Sequence, residues 1–215
     1  MERRTETRRS FLKRSSAIFA LPFILSCGGG TVAQKAESDL LAAIKKNAIS
    51  DPNCEWCGAR DAPADVSWKA SLAGAAETGE KLRVSGSVFR ADGITPAAGT
   101  LIYFYHTDAH GKYGRDGQHR HGQYRGWMLT DAKGRYEFTS IIPASYPNST
   151  IAKHIHMTVT SRDLKEDWID SILFDGDKFI TERERTPRKG GFDPVMKLQR
   201  GPDGIMSGVR NIRLP

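Results

Sequence analysis

Residues 153–160 read KHIHMTVT, where Ile155, Met157 and Val159 are apolar and His154, His156, Thr158 and Thr160 are polar. A period of two is the pattern of a strand with one buried face. Further short runs carry a β signal: KLRVSGSVFR (81–90), GTLIYFYHT (99–107), GWMLT (126–130), GRYEFTSI (134–141), SILFD (171–175) and VRNIRL (209–214). Between them lie ADG, DAKG, PASYPN and FDGD, which are turn chemistry. Short strands without intervening helical patterns predict an all-β fold, an antiparallel β-sandwich over 80–215. Upstream, Leu40, Leu41 and Ile44 in ESDLLAAIKKN (37–47) recur at helical spacing and predict one short helix. A Pro/Cys/Gly-rich connector follows, so 37–79 reads as helix plus connector. No internal repeat is present.

The first 26 residues do not read as part of that fold. A basic start, the apolar run Ala17–Leu25 and a small residue before Cys27 make a secretory signal. The run is far shorter than the roughly 20 residues a membrane-spanning helix needs. TRRSFLK (7–13) resembles a twin-arginine export signal, a route that carries folded and often cofactor-loaded proteins. Ile24-Leu25-Ser26-Cys27 resembles a lipobox, so Cys27 is the expected lipidation site and 27–36 the tether behind it. The expected location is the periplasmic side of a bacterial membrane, lipid-anchored. Removing the signal takes six Lys/Arg and two Glu from the 32 basic and 25 acidic side chains. The remaining net charge is +3 instead of +7, and no nucleic-acid partner is expected.

With Cys27 assigned to the anchor, Cys54 and Cys57 of CEWC remain. A zinc site would want more ligands than this pair supplies, and no thioredoxin-like βαβ pattern surrounds it. A short-loop disulfide in an oxidising compartment is the expected state.

The chemistry concentrates on the polar face of KHIHMTVT. Residues two apart on a strand share a face, about 6.6 Å apart at a rise near 3.3 Å per residue. Imidazoles at that spacing can converge on one ion, or can simply face solvent. A second HxH, His119 and His121 in QHRHGQYRG, is glycine-flanked and lacks alternation. It reads as loop, with its histidines solvated or behind a ligand shell. The long polar loop 107–125 suggests function more than packing.

Other segments decide between the readings of His154 and His156. GSVFRADG, DAHGKY, RGWMLTDAKGRYEF, PASYP and HIH occur in that order. This ordered set, across about residues 80–180, resembles the intradiol ring-cleavage dioxygenases, the enzymes that open catechol and protocatechuate. The resemblance implies a non-haem Fe(III) cofactor held by Tyr113, Tyr146, His154 and His156, with Tyr146 also leaving as a catalytic base. It implies a catechol-like substrate and O2, and a muconate-type diacid product. Hard phenolate oxygens suit ferric iron, and a phenol of ordinary pKa near 10 ionises only beside a strong cation. Tyr103, Tyr105 and Tyr136 read as core or rim.

Two positions depart from the family pattern. The arginine expected three residues before the first histidine is Ile151, and the glutamine of the next strand aligns with Ser171. Arg125 or Lys153 is the candidate replacement for the missing positive charge. The alternative function is a non-catalytic β-sandwich binding module that keeps the scaffold, with or without metal.

Overall fold

Strands form where the alternation predicts them, and the computed structural model, which describes residues 29–74, 76–114 and 119–215, adds three short ones. In chain order these are β1 (Lys69–Ser71), β2 (Lys81–Phe89), β3 (Leu101–Tyr105), β4 (Arg125–Leu129), β5 (Arg135–Ile141) and β6 (His154–Thr160). They continue with β7 (Asp167–Phe174), β8 (Val195–Met196), β9 (Gln199–Arg200), β10 (Met206–Val209) and β11 (Ile212–Arg213). One sheet runs β1-β5-β2-β10-β9, with β11 also on β2; the other runs β4-β3-β6-β7-β8.

The central pairs β2–β5, β3–β4, β3–β6 and β6–β7 are antiparallel, as expected. The sandwich is nevertheless mixed: β1–β5, β2–β10, β2–β11 and β7–β8 are parallel. These partners are joined by long connections, which leave strand direction free, whereas tight hairpins force it. The expected run 209–214 is also broken, because Arg210 turns inward and is buried between β10 and β11. Its guanidinium donates to the carbonyls of Phe192 and Asn211.

The two sheets close over one core. Leu82, Val84, Val88 and Phe138 face Ile102, Phe104, Met128, Ile155, Met157 and Val159. Phe104 and Phe138 stack across it with ring centroids 4.1 Å apart. The apolar half of KHIHMTVT thus sits in the core, which turns His154 and His156 to the outer face of the second sheet.

That outer face is covered by the N-terminal segment. Helix α1 (Gly29–Lys45) packs Leu41 and Ile44 with Ala59, Ala62 and Leu101 in a second, smaller core. The helix starts earlier than its apolar spacing predicts: 29–36, expected as a tether, is helical. TVAQKA holds no breaker, and Ala, Gln and Lys favour helix. The expected signal peptide and Cys27 lie outside the described residues. No described helix is long and apolar enough to cross a membrane.

Behind α1, Cys54 and Cys57 form the expected disulfide. Glu166, buried at the β6–β7 turn, then ties this cap to the sheet. Its carboxylate accepts the backbone N–H groups of Ile49, Gly58 and Ala59 at 3.0, 2.8 and 2.9 Å. Trp127 Nε1, on β4 of the same sheet, donates to the Gly58 carbonyl at 2.7 Å.

Candidate metal centre

Tyr113 and Tyr146 lie on separate loops that are stapled together. Asp108 Oδ1 accepts from the N–H groups of His110 and Lys112, and the Asp108 carbonyl accepts from Ala144 N–H. Thr107 Oγ1 donates to the Ala144 carbonyl at 2.7 Å. Gly111 completes the junction, with φ +77° and an ideal Cβ position only 2.0 Å from the Ser145 carbonyl oxygen. Only glycine tolerates both the backbone angle and the approach. The Pro143–Pro147 turn then presents Tyr146 to Tyr113.

The four side chains singled out in the sequence meet. Tyr113 Oη lies 2.5 Å from Tyr146 Oη, and Tyr146 Oη lies 3.4 Å from Nε2 of both His154 and His156. The two Nε2 atoms are 2.9 Å apart. His154 Nδ1 donates to the Ala152 carbonyl at 2.7 Å, which leaves its Nε2 as a lone pair aimed at the cluster. Ser171 Oγ lies 3.5 Å from His156 Nδ1, on the side away from the cluster. A β-bulge shifts the β6–β7 register between Ile155 and Met157, opposite this histidine. Bulges re-aim side chains, and here the bulge places Ser171 beside His156.

Electrostatics favour neutral imidazoles and a protonated Tyr113 phenol until a cation arrives. Burial lowers His154, and burial with the neighbouring imidazoles brings His156 down to about 3. Burial and the Tyr146 hydrogen bond push the Tyr113 phenol up. The two Nε2 atoms lie 2.9 Å apart beside two phenol oxygens 2.5 Å apart, and a hard, highly charged ion is what this donor set would hold. Among the described residues no group of three or more His, Cys, Asp or Glu converges on such a site.

Tyr105 and His121 form the backing. His156 stacks on Tyr105 at 4.6 Å, and Tyr105 stacks on His121 at 3.7 Å with 4° between planes. His121 Nδ1 accepts from Tyr103 Oη and its Nε2 donates to the Glu55 carbonyl, both at 2.6 Å. His121 is therefore buried and fully engaged, not solvated, and burial holds it near pKa 4. Tyr103 and Tyr136 are buried core residues, as read. Tyr105 has the additional contact with His156, which no local pattern announces.

Arg125 opens β4, separated from His156 in the sheet by Tyr105, and donates to the Gly122 carbonyl. Gly122 in turn packs against the Tyr113 backbone, so Arg125 braces the loop that carries a donor. Lys153 reaches over the Phe174 ring at 5.9 Å. Ile151 is half exposed. A cavity of about 270 Å³ opens beside His156, lined by Glu55, Trp56, Tyr105, Thr158, Trp168 and Ser171.

A family model described as dioxygenase matches residues 58–185. The protocatechuate 3,4-dioxygenase beta chain of Burkholderia cepacia is 28% identical over 117 residues, covering 47% of this chain and 48% of that one. The chain thus matches about half the length of this curated relative. The dioxygenase domain of a carbohydrate-binding fusion from Streptomyces sp. SirexAA-E superposes with TM-score 0.54 at 22% identity, over 70% of this chain and 89% of that one. A mutant of the catechol 1,2-dioxygenase of Acinetobacter radioresistens gives 0.58 at 17% identity, over 85% and 69%. The intradiol ring-cleavage dioxygenase of Tetranychus urticae gives 0.52 at 15% identity, over 69% and 87%. The matched region encloses all four donors, Tyr113 through His156, and on that ground the chain belongs to the intradiol ring-cleavage dioxygenase family.

Proposed function

We propose that this protein is an Fe(III)-dependent intradiol-type dioxygenase acting on a catechol-like aromatic. The observation that carries the reading is the meeting of two phenol oxygens and two imidazole nitrogens from three separate segments. Ferric iron bound by Tyr113, Tyr146, His154 and His156 would supply Lewis-acid activation of a chelated catechol toward O2. The ring bond between the two hydroxyl-bearing carbons breaks, each carbon gains one oxygen atom of O2, and a muconate-type diacid results. The catechol itself supplies the electrons that reduce O2. The Ala152 carbonyl holds His154 in the tautomer that keeps Nε2 a lone pair. The family resemblance supports Tyr146 as the residue that, ionised beside the cation, would take a catechol proton at its Oη. The apolar face of β6 and the Tyr105 ring hold His156 in place.

The folded protein should contain about one iron and show a broad tyrosinate charge-transfer band in the visible. Tyr113→Phe and Tyr146→Phe should each shift or abolish it. A colourless protein that stays so after ferric loading refutes this reading. Oxygen uptake with catechols then tests turnover. The rival is a metal-binding module without catalysis, which Ile151 and Ser171 favour because neither supplies a charged or amide group for the substrate. Colour without oxygen uptake would establish it.

We also propose export by the twin-arginine-type signal and anchoring through lipidated Cys27. The signal sequence supports this, as does a disulfide of the kind that persists in oxidising compartments. Radiolabelled palmitate incorporation, lost in Cys27→Ser, is the test.

A further inference from the structure

The family match begins at Gly58, immediately after the disulfide-closed tetrapeptide Cys54-Glu55-Trp56-Cys57. That loop lies outside the matched region, yet it forms one wall of the cavity beside His156. Its position is well determined. The disulfide closes it, the Gly58 and Ala59 amides are held by Glu166, and the Glu55 carbonyl accepts from His121. His121 stacks on Tyr105, and Tyr105 stacks on His156. Loop, aromatic backing and candidate iron ligand are thus one packed unit.

The lining has a definite chemistry. Trp56 and Trp168 supply apolar aromatic wall, suited to an aromatic ring. Among the described residues that line this cavity, Glu55 carries the only formal charge. A second cavity shares Trp168, Ile169 and Ser171 with the first and adds Asp170, Glu184 and Arg188. Together they present three carboxylates and one guanidinium, with Arg188 beside Asp170 at 3.9 Å. Lys189 stands over Trp168 at 4.3 Å, but its ammonium is paired with Asp167 at 2.7 Å.

We propose that the Cys54–Cys57 loop is a specificity wall. Through Glu55 and Trp56 it selects catechol-like substrates whose ring substituent is neutral or cationic, against those bearing a carboxylate. The inference rests on the dioxygenase reading for the identity of the substrate class. An anionic substituent would meet the Glu55 carboxylate, the one formal charge lining this cavity, while an ammonium would gain that carboxylate and an indole face.

The test titrates three probes that differ in charge: 4-methylcatechol, 3,4-dihydroxyphenylethylamine and 3,4-dihydroxybenzoate, at pH 7. Binding is read in the iron-loaded protein from the shift of its visible band, and in the iron-free protein from quenching of tryptophan fluorescence. The ammonium probe should bind tightest and the carboxylate probe weakest, about tenfold apart. Glu55→Gln should collapse that ratio and Glu55→Lys should invert it. Trp56→Ala should weaken all three, by about 3- to 10-fold. Replacing Cys54 and Cys57 by Ser should keep the visible band and lose the discrimination. Equal binding of the three probes, an order that Glu55→Lys leaves unchanged, or no binding in either form would overturn the proposal. A protein that never acquires the iron band yet discriminates as described would overturn the dioxygenase reading and leave the loop's role standing.

Discussion

Tyr105 lies flat against His156, with ring centroids 4.6 Å apart and planes 21° from parallel. The two residues face each other across β3 and β6 in the sheet register, so backbone hydrogen bonding sets the contact. Such ring pairs contribute about 0.5–1.5 kcal/mol beyond burial. Tyr105→Phe keeps the stack and should leave iron affinity unchanged. Tyr105→Leu should weaken it by about 3- to 10-fold. Chelator competition followed through the visible band measures both, and equal affinities for Phe and Leu would show that the ring does not orient the ligand.

Glu166 should matter for stability far more than an ordinary surface carboxylate. It is buried and satisfies three backbone N–H groups of the cap. Glu166→Ala leaves those donors without their acceptor and opens a void, at a cost on the order of 3 kcal/mol or more. Glu166→Gln retains one oxygen and should cost about half as much. Urea unfolding monitored by tryptophan fluorescence distinguishes these, and a loss below about 1 kcal/mol for Glu166→Ala would mean that the cap is not held here.

Acid should destabilise the protein through its buried histidines. His106 is fully buried, donates through Nδ1 to the Thr107 carbonyl and accepts at Nε2 from Ser140. Burial lowers it from 6.5 to about 4. The unfolded chain therefore takes up a proton below about pH 6.5 that the folded chain refuses until about pH 4. Its contribution is complete above 6.5 and is lost as pH falls through 4, on the order of 3 kcal/mol. His121 shifts the same way and adds to the slope. Unfolding free energies at pH 7 and pH 4.5 should differ less in His106→Gln than in the natural sequence; identical differences would remove His106 from this account.

The parts of the site legible in sequence were those written into local patterns. The alternation of KHIHMTVT places Ile155, Met157 and Val159 in the core and turns both histidines outward, and the fold agrees. Tyr113 and Tyr146, which the structure brings to the histidines, were singled out through the order of family motifs, because nothing local marks them. For His121 the sequence left solvated and behind a ligand shell both open, because the partners that bury it, Tyr103 and Glu55, are 18 and 66 residues away. Strands β8 and β9, two residues each, exist through pairing with β7 and β10 rather than through their own pattern. The cap's role was hidden for the same reason: Glu166 and Gly58 are 108 residues apart.

Gly111 offers the sharpest test of how the donors are brought together. A Cβ there would sit 2.0 Å from the Ser145 carbonyl oxygen, a backbone atom that cannot swing aside. Gly111→Ala should therefore pry the 107–113 loop from the 143–147 turn and separate Tyr113 from Tyr146. Positive φ alone would also penalise alanine, so a control is needed. Gly176 has φ +83°, similar to the +77° of Gly111, but nothing lies within 4 Å of its Cβ position. Both alanine variants share the left-handed backbone cost, of roughly 1 kcal/mol. Only Gly111→Ala adds the clash, so it alone should lose the iron band while circular dichroism still reports a folded β protein. If Gly176→Ala bleaches the band as well, or Gly111→Ala keeps it, the stapled loops are not what sets the Tyr113–Tyr146 distance.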